Sequence, residues 1–235
     1  MRTRIPLPKP LHGWRAFAGE VGVIVLGVLI ALGAQQLVEK WQWRRDVRDF
    51  RAAVDNELQF NLAASDYRVR QSPCVRHRLA ELERWSAELR SGQASPLVRE
   101  ISFPRRIVVD MAVWNSRGAD LPAHLPMKAR VAYSDLYDLV DNQRETISAE
   151  RETWLALNGF NHVHALGPTD LIRLDELIFR ARRFDRAIAE QQKLFGYDVA
   201  ILRLHPSFGQ YASQVSPPPA DFCKPVLPAN DEKPA

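Results

Sequence analysis

The stretch GEVGVIVLGVLIALGAQQLVEKWQW, residues 19 to 43, decides how the rest of the chain is read. Val21 to Val38 is an 18-residue run without a charge, closed by Glu20 and Glu39. At about 1.5 Å of rise per residue it covers roughly 27 Å, close to the thickness of one bilayer core. Trp14 and Phe17 on one side, and Trp41 and Trp43 on the other, stand where amphipathic rings anchor a span at its two interfaces. The spacing predicts a transmembrane helix over residues 14–41.

Outward from the span, residues 1–13 carry three basic groups, three prolines and no acid, a short tail suited to anionic lipid heads on the cytoplasmic side. Lys40, Arg44, Arg45, Arg48 and Arg51 come after the span, so charge next to the membrane does not by itself set the orientation. Long domains cross largely regardless of their charge. Placing the tail inside and the domain outside is the favoured topology, with the inverse arrangement left open. A secretory signal peptide is the rival for the same residues, with Ala31-Leu32-Gly33 as small residues near a cleavage site. Against it, the apolar run exceeds the about 7 to 15 residues of a signal core and no breaker precedes that site. Ala18 with Gly22, and Gly27 with Ala31, are small pairs four apart of the kind that let two membrane helices approach, though such residues are common in spans anyway.

Beyond the span, Trp43, Val47, Phe50, Val54, Leu58 and Leu62 recur at helical spacing with no proline or glycine between them. The membrane helix is therefore expected to continue as a stalk, with Arg45–Asp49 and Arg51–Asp55 as pairs on its outer faces. Ser72-Pro73 reads as a cap and first helical residue, and Gly92 as a stop. The helix between them has Val75, Leu79, Leu82, Trp85 and Leu89 inward, and Glu81, Glu83, Arg84 and Glu88 outward. Residues 93–108 read as loop with one extended piece at Ile107 to Val109, and Met111 to Asn115 as a short helix.

The strongest water-facing helix comes next, with Tyr133, Leu136, Tyr137, Val140, Ile147, Trp154 and Leu157 on one stripe interrupted by Arg144 and Arg151. After the break at Gly167-Pro168 another helical stretch runs from about Thr169 to Leu204, bent or divided at Gly196. From Pro206 the composition changes, with seven of the 16 prolines in the last 30 residues, so residues 206–235 are expected to run extended over the surface.

The formal charge of +4 arises mostly at the N-terminus; residues 39 to 235 hold 28 basic and 27 acidic side chains, too balanced for a phosphate-binding surface. Nucleic acid is not expected as a partner. The two cysteines, Cys74 and Cys223, lie on the same side of the span and are expected to form one disulfide closing a very long loop, worth roughly 3 to 5 kcal/mol in an oxidising space. Two separate thiols are the bland reading.

No phosphate-cradling glycine loop, Cys-x-x-Cys pair, His-Glu-x-x-His or nucleophile elbow occurs, so no catalytic, cofactor-binding or metal-ligating residue is assigned. His162 and His164, two apart, fall on different sides of a helix. Arg180, Arg182, Arg183 and Arg186 concentrate charge, with Asp175, Glu176, Asp185 and Glu190 near enough to neutralise it on a solvated face. Trp114, Tyr133, Tyr137 and Trp154 are candidates for a ligand pocket, or simply for core.

Two stretches together resemble a family of bacterial single-span membrane proteins that has no assigned activity. One is WRAFAGEVGVIVLGVLIALGAQQLVEKWQWR, residues 14 to 44, with its Gly-Glu-Val-Gly entry and Ala-Leu-Gly-Ala-Gln-Gln exit. The other runs from VWNSRGADLPAHLP, residues 113 to 126, into YSDLYDLVDNQRE, residues 133 to 145. The resemblance implies an anchor with a helical domain and carries over no site residue.

The resulting expectation is an all-α protein. It has a basic cytoplasmic tail (1–13), a transmembrane helix (14–41) continuing into a stalk, an extracytoplasmic helical bundle (42–205) and a proline-rich extended tail (206–235). It would sit in a bacterial inner membrane, with its bundle in the periplasm. Its expected partners are the lipid bilayer and a second copy or another membrane protein. The role is interaction or sensing without catalysis; a small-ligand-binding bundle and an enzyme with a site outside known motifs are the alternatives.

Overall fold

With no proline between them to remove a backbone donor, residues 14 to 69 form one α-helix, α1 (Trp14–Val69, 56 residues). The structure is a computed structural model describing residues 14–93, 95–105, 108–118, 121–162, 166–214 and 220–228. The expected basic tail 1–13, Ile107, His164 and the segments 215–219 and 229–235 of the proline-rich tail lie outside the described residues. Helices α2 (Ser72–Arg90), α3 (Ala112–Asn115), α4 (Met127–Asn158), α5 (Pro168–Leu194) and α6 (Gly196–Leu202) come after it, and no strand occurs among the described residues. The protein is all-α, as its periodicity predicts.

The chain divides into two units, Met1–Asp49 and Phe50–Ala235. In the first, every residue from Val21 to Val38 is exposed, with Val23 at 72% and Ile30 at 64%. A window of this helix has a mean hydropathy of 2.3 and buries nothing. One helix is thus long and apolar enough to cross a membrane. Of the expected stalk pairs, Arg45 turns to Asp46 at 3.6 Å and lies over the Trp41 ring, while Asp55 accepts a hydrogen bond from the Tyr133 hydroxyl, which together with Asp55 raises the Arg51 pKa.

The second unit begins with Phe50. Val54, Leu58 and Leu62, the continuation of the stripe, are buried in it. The main apolar cluster joins Leu79, Leu82 and Trp85 of α2, Trp154 and Leu157 of α4, and Leu174, Leu177 and Ile178 of α5. Helix α4 packs on α5 and α6, and α2 packs on α5. Asn142 and Thr146 meet Gln191, whereas Glu150 and Asp185 meet the same arginine, so α4 and α5 run antiparallel.

The ends of these helices obey local chemistry. Gly92, at φ +72°, stands just past α2 where a side chain would be strained. Asp170 accepts the Gly167 N–H at the start of α5, and Pro168 in the first turn loses no hydrogen bond there. Phe195 and Gly196 divide the last helical stretch, as the glycine predicts. Two expectations change. The cap of α2 is Gln71, not Ser72, whose hydroxyl turns inward to donate to Asp185 at 2.7 Å. The tail is not wholly extended, because Gly209–Gln214 and Ala220–Cys223 are short 3₁₀ turns.

Leu79 has no exposed surface and touches the largest cluster. Leu79→Ala is expected to lower the unfolding free energy of the oxidised, full-length chain by about 2–5 kcal/mol, read from urea titrations of helicity in detergent micelles.

Candidate functional site

Beside the apolar stripe of α1 runs a second, polar stripe. Glu57, Asn61, Ser65 and Arg68 are spaced four, four and three apart, which puts them on one helical face, and all four are buried. A buried polar group must find a partner inside. Glu57 accepts the N–H groups of Val113 and Trp114 and the Tyr137 hydroxyl. Asn61 donates to the Asp110 carbonyl and accepts the Asp110 N–H, and Ser65 accepts from Gln143 at 2.8 Å. These rungs climb α1 and α4 in the same direction, so this part of α1 lies parallel to α4.

Arg68 closes the stripe. Its guanidinium, 1% exposed, donates through Nε and Nη2 to Glu150 of α4 and through Nη2 to Asp185 of α5. Burial works against the Arg68 charge, but Glu150 and Asp185 more than offset it and its pKa ends above the ordinary value. Glu150 also accepts from the Trp154 indole, and Asp185 from Ser72, with Arg76 at 3.8 Å from its second oxygen. All four carboxylate oxygens are thereby committed. Nη1 of Arg68 has no hydrogen-bond partner among the described residues.

Three titratable groups thus converge, as an enzyme without a known motif would require. The adjoining void holds only about 30 Å³ between Arg68, Glu150, Trp154, Ile147 and Phe103. That is room for a water-sized occupant, not an organic substrate. Two phenols of α4 also meet acids of α1, Tyr137 donating to Glu57 and Tyr133 to Asp55. Burial and the Glu57 hydrogen bond drive the Tyr137 pKa far up, and burial and Asp55 push Tyr133 up to about 12, so both phenols remain neutral donors. Among the described residues no group of three His, Cys, Asp or Glu side chains is arranged to hold a metal.

The four aromatic residues singled out by spacing do not share a pocket. Trp114 stacks on Tyr137 with ring centroids 4.4 Å apart, Tyr133 is buried beside Asp55, and Trp154 belongs to the main cluster with Phe222 edge-on. The other face of Trp114 carries the Arg117 guanidinium at 3.9 Å. An open recess of about 520 Å³ lies alongside, lined by Trp114, Arg117, Pro122, Arg130 and Ser134. With both faces of its indole covered, Trp114 offers no platform for a further ring to stack on.

Of the interface residues, Trp14, Phe17 and Trp41 are well exposed on α1 and Trp43 is half-buried. Cys74 and Cys223 are joined, 149 residues apart in sequence, and the segment 220–228 straps across α2. Phe222, Val226 and Leu227 enter the apolar cluster. Arg78 donates to the carbonyls of Phe222 and Lys224, and Glu81 accepts the Val226 N–H. The outward position expected for Glu81 is therefore overturned; it is buried because the strap's backbone needs an acceptor there. Burial lowers the Arg78 pKa. Of the arginine cluster, Arg182 pairs with Glu83 at 2.7 Å and Arg180 with Glu176 at 4.0 Å, so part of its charge is neutralised locally. The buried partners Gln143, Glu150 and Asn61 are those the apolar pattern missed; their one signal is the repeat of polar residues at helical spacing.

No family model, no curated protein and no solved structure matches this chain. The buried charges can nevertheless be probed directly. Glu150→Ala is expected to cost about 3–5 kcal/mol by stranding Arg68, whereas the combined Arg68→Met, Glu150→Met, Asp185→Leu chain loses less, as chemical denaturation of both will read. Asp198 of α6 is buried and faces the like charge of Asp135, both of which raise its pKa. A raised carboxyl pKa favours the fold below the unfolded value and loses that contribution as pH rises through the folded one. Asp198→Asn should accordingly raise the thermal midpoint at pH 7, the gain vanishing below about pH 4.

Proposed function

We propose that this chain is a single-pass protein of the bacterial inner membrane, with its N-terminal tail in the cytoplasm and its helical bundle in the periplasm. It works by docking a second copy or another membrane protein, not by catalysis. The observation that carries the reading is the 18-residue apolar run of α1, exposed throughout. Water does not tolerate so long a bare stripe, whereas lipid requires it. The Cys74–Cys223 bridge supports an oxidising compartment for the bundle.

A docking role for the bundle draws on how its polar groups are used. The buried charges are consumed in holding helices and loops together, while large apolar side chains such as Ile172, Phe179 and Tyr197 stand exposed, at 68%, 61% and 75%. Amphipathic aromatic and aliphatic groups of this kind anchor protein interfaces. The recess beside Trp114 supports the alternative, a bundle that binds a small anionic ligand at Arg117 and Arg130.

Alkaline extraction of membranes should leave the full-length chain in the pellet, and in intact cells the two cysteines should resist a thiol reagent until reductant is added. A photoreactive residue in place of Phe179 or Tyr197 should then give one discrete protein adduct in cells. Release by alkali, or cytoplasmic labelling without reductant, overturns the anchored periplasmic topology. Absence of an adduct, together with thermal stabilisation by small carboxylates that Arg130→Ala abolishes, replaces docking with ligand binding.

A further inference from the structure

The two sulfurs of the bridge stand in unlike surroundings. Cys223 is exposed on the strap, whereas Cys74 is half-buried, packed against the apolar cluster, in the first turn of α2. A helix N-terminus carries partial positive charge and stabilises an anion placed there. The buried Arg78 guanidinium, one turn further along, donates to the carbonyls of Phe222 and Lys224 on either side of Cys223. The helix start is what favours a thiolate at Cys74. Of the nearby opposite charges, Glu81 is engaged with the strap's backbone and Asp221 with Lys224 at 2.6 Å.

We propose that the Cys74–Cys223 bridge is a thiol–disulfide exchange site, at which an external dithiol attacks the sulfur of Cys223, the more exposed residue of the pair, and Cys74 departs as the thiolate. In the first step one thiolate of the dithiol forms a bond to Cys223 Sγ, the Cys74–Cys223 bond breaks, and its electron pair leaves on Cys74. In the second step the other thiol of the reductant, as thiolate, attacks the sulfur joined to Cys223. Cys223 is released, the reductant is oxidised to its disulfide, and this chain gains two electrons and two protons. Attack at an accessible sulfur with the better-stabilised thiolate leaving is the fast direction of such exchange.

Contacts that do not involve sulfur set the state of the strap after reduction. Phe222, Val226 and Leu227 are each at most 3% exposed, Val98 donates to the Val226 carbonyl at 2.8 Å, and Arg78 and Glu81 hold the strap's backbone. The strap therefore stays docked, the two thiols remain within reach, and the bridge re-forms in place. Two redox states of one fold result, differing in a pair of thiols at the surface.

The test uses the full-length oxidised chain in detergent micelles. With reduced glutathione as a monothiol probe, acid quenching and peptide mapping should find the mixed disulfide on Cys223 in excess over Cys74 by at least about tenfold. Dithiothreitol should reduce the bridge without denaturant while helicity is retained, and on removal of reductant an oxidant should restore it at a rate independent of protein concentration. Three results would overturn the proposal: reduction only after urea unfolds the chain, adducts chiefly on Cys74, or rapid proteolysis of the strap in the reduced form. The Cys74→Ser variant separates accessibility from leaving-group effects, since its Cys223 thiol should react with a maleimide at a rate close to that of an unfolded control.

Discussion

The bundle depends on one buried charge. Arg68 is too deep for water to solvate, and a guanidinium does not lose its proton in a protein, so carboxylates must be brought to it. Glu150 and Asp185 do this from two different helices. That requirement fixes α4 and α5 about the end of α1, and Ser72 and Trp154 bind the same carboxylates from α2 and α4. A purely apolar seam could slide by a turn at modest cost. A seam containing this triad cannot, because each one-turn shift leaves an ion unpaired in a medium where it is expensive.

The same logic governs segments with no regular structure of their own. Residues 95–105, 108–111 and 224–228 have backbone groups that no helix satisfies, and a buried N–H or C=O without a partner costs as much as a lost hydrogen bond. Side chains on the helices supply the partners. Asn61 mimics a backbone pair for Asp110, Asn158 and Asn161 take both groups of Ile101, Gln71 accepts from Arg105, and Glu81 accepts from Val226. The polar residues facing inward are thus templates for loops, which explains why a bundle of few helices has so many buried acids and amides.

This division decides how much the sequence could reveal. The long apolar helix, the helices after it, the break at Gly196 and the cysteine pairing were legible because each rests on a local signal: an uncharged run, a spacing, a breaker, an even cysteine count. The inward turn of Ser72 and Glu81 was not. Helical spacing says which residues share a face, but a polar residue looks the same whether water or a backbone amide solvates it. Glu57, Asn61, Ser65 and Arg68 do share a face, and that repeat was readable. What no spacing conveys is that Asp110, Trp114 and Asp185, 75 residues apart from first to last, lie opposite.

Helix α1 contains both solutions to the problem of a residue's surroundings. Between Val21 and Val38 its backbone is satisfied within the helix and its side chains are mostly apolar and free of charge, so little polar surface remains to be matched. Between Glu57 and Arg68 half of its inward face is polar, and each polar side chain has a named partner. One secondary structure serves both because an α-helix consumes its own backbone donors and acceptors and leaves side chains to meet whatever surrounds them. Function in this chain accordingly has to be sought where that matching is incomplete: at the bare apolar run, at the exposed aromatic groups of the bundle, and at a disulfide that joins an exposed cysteine to one at the start of a helix.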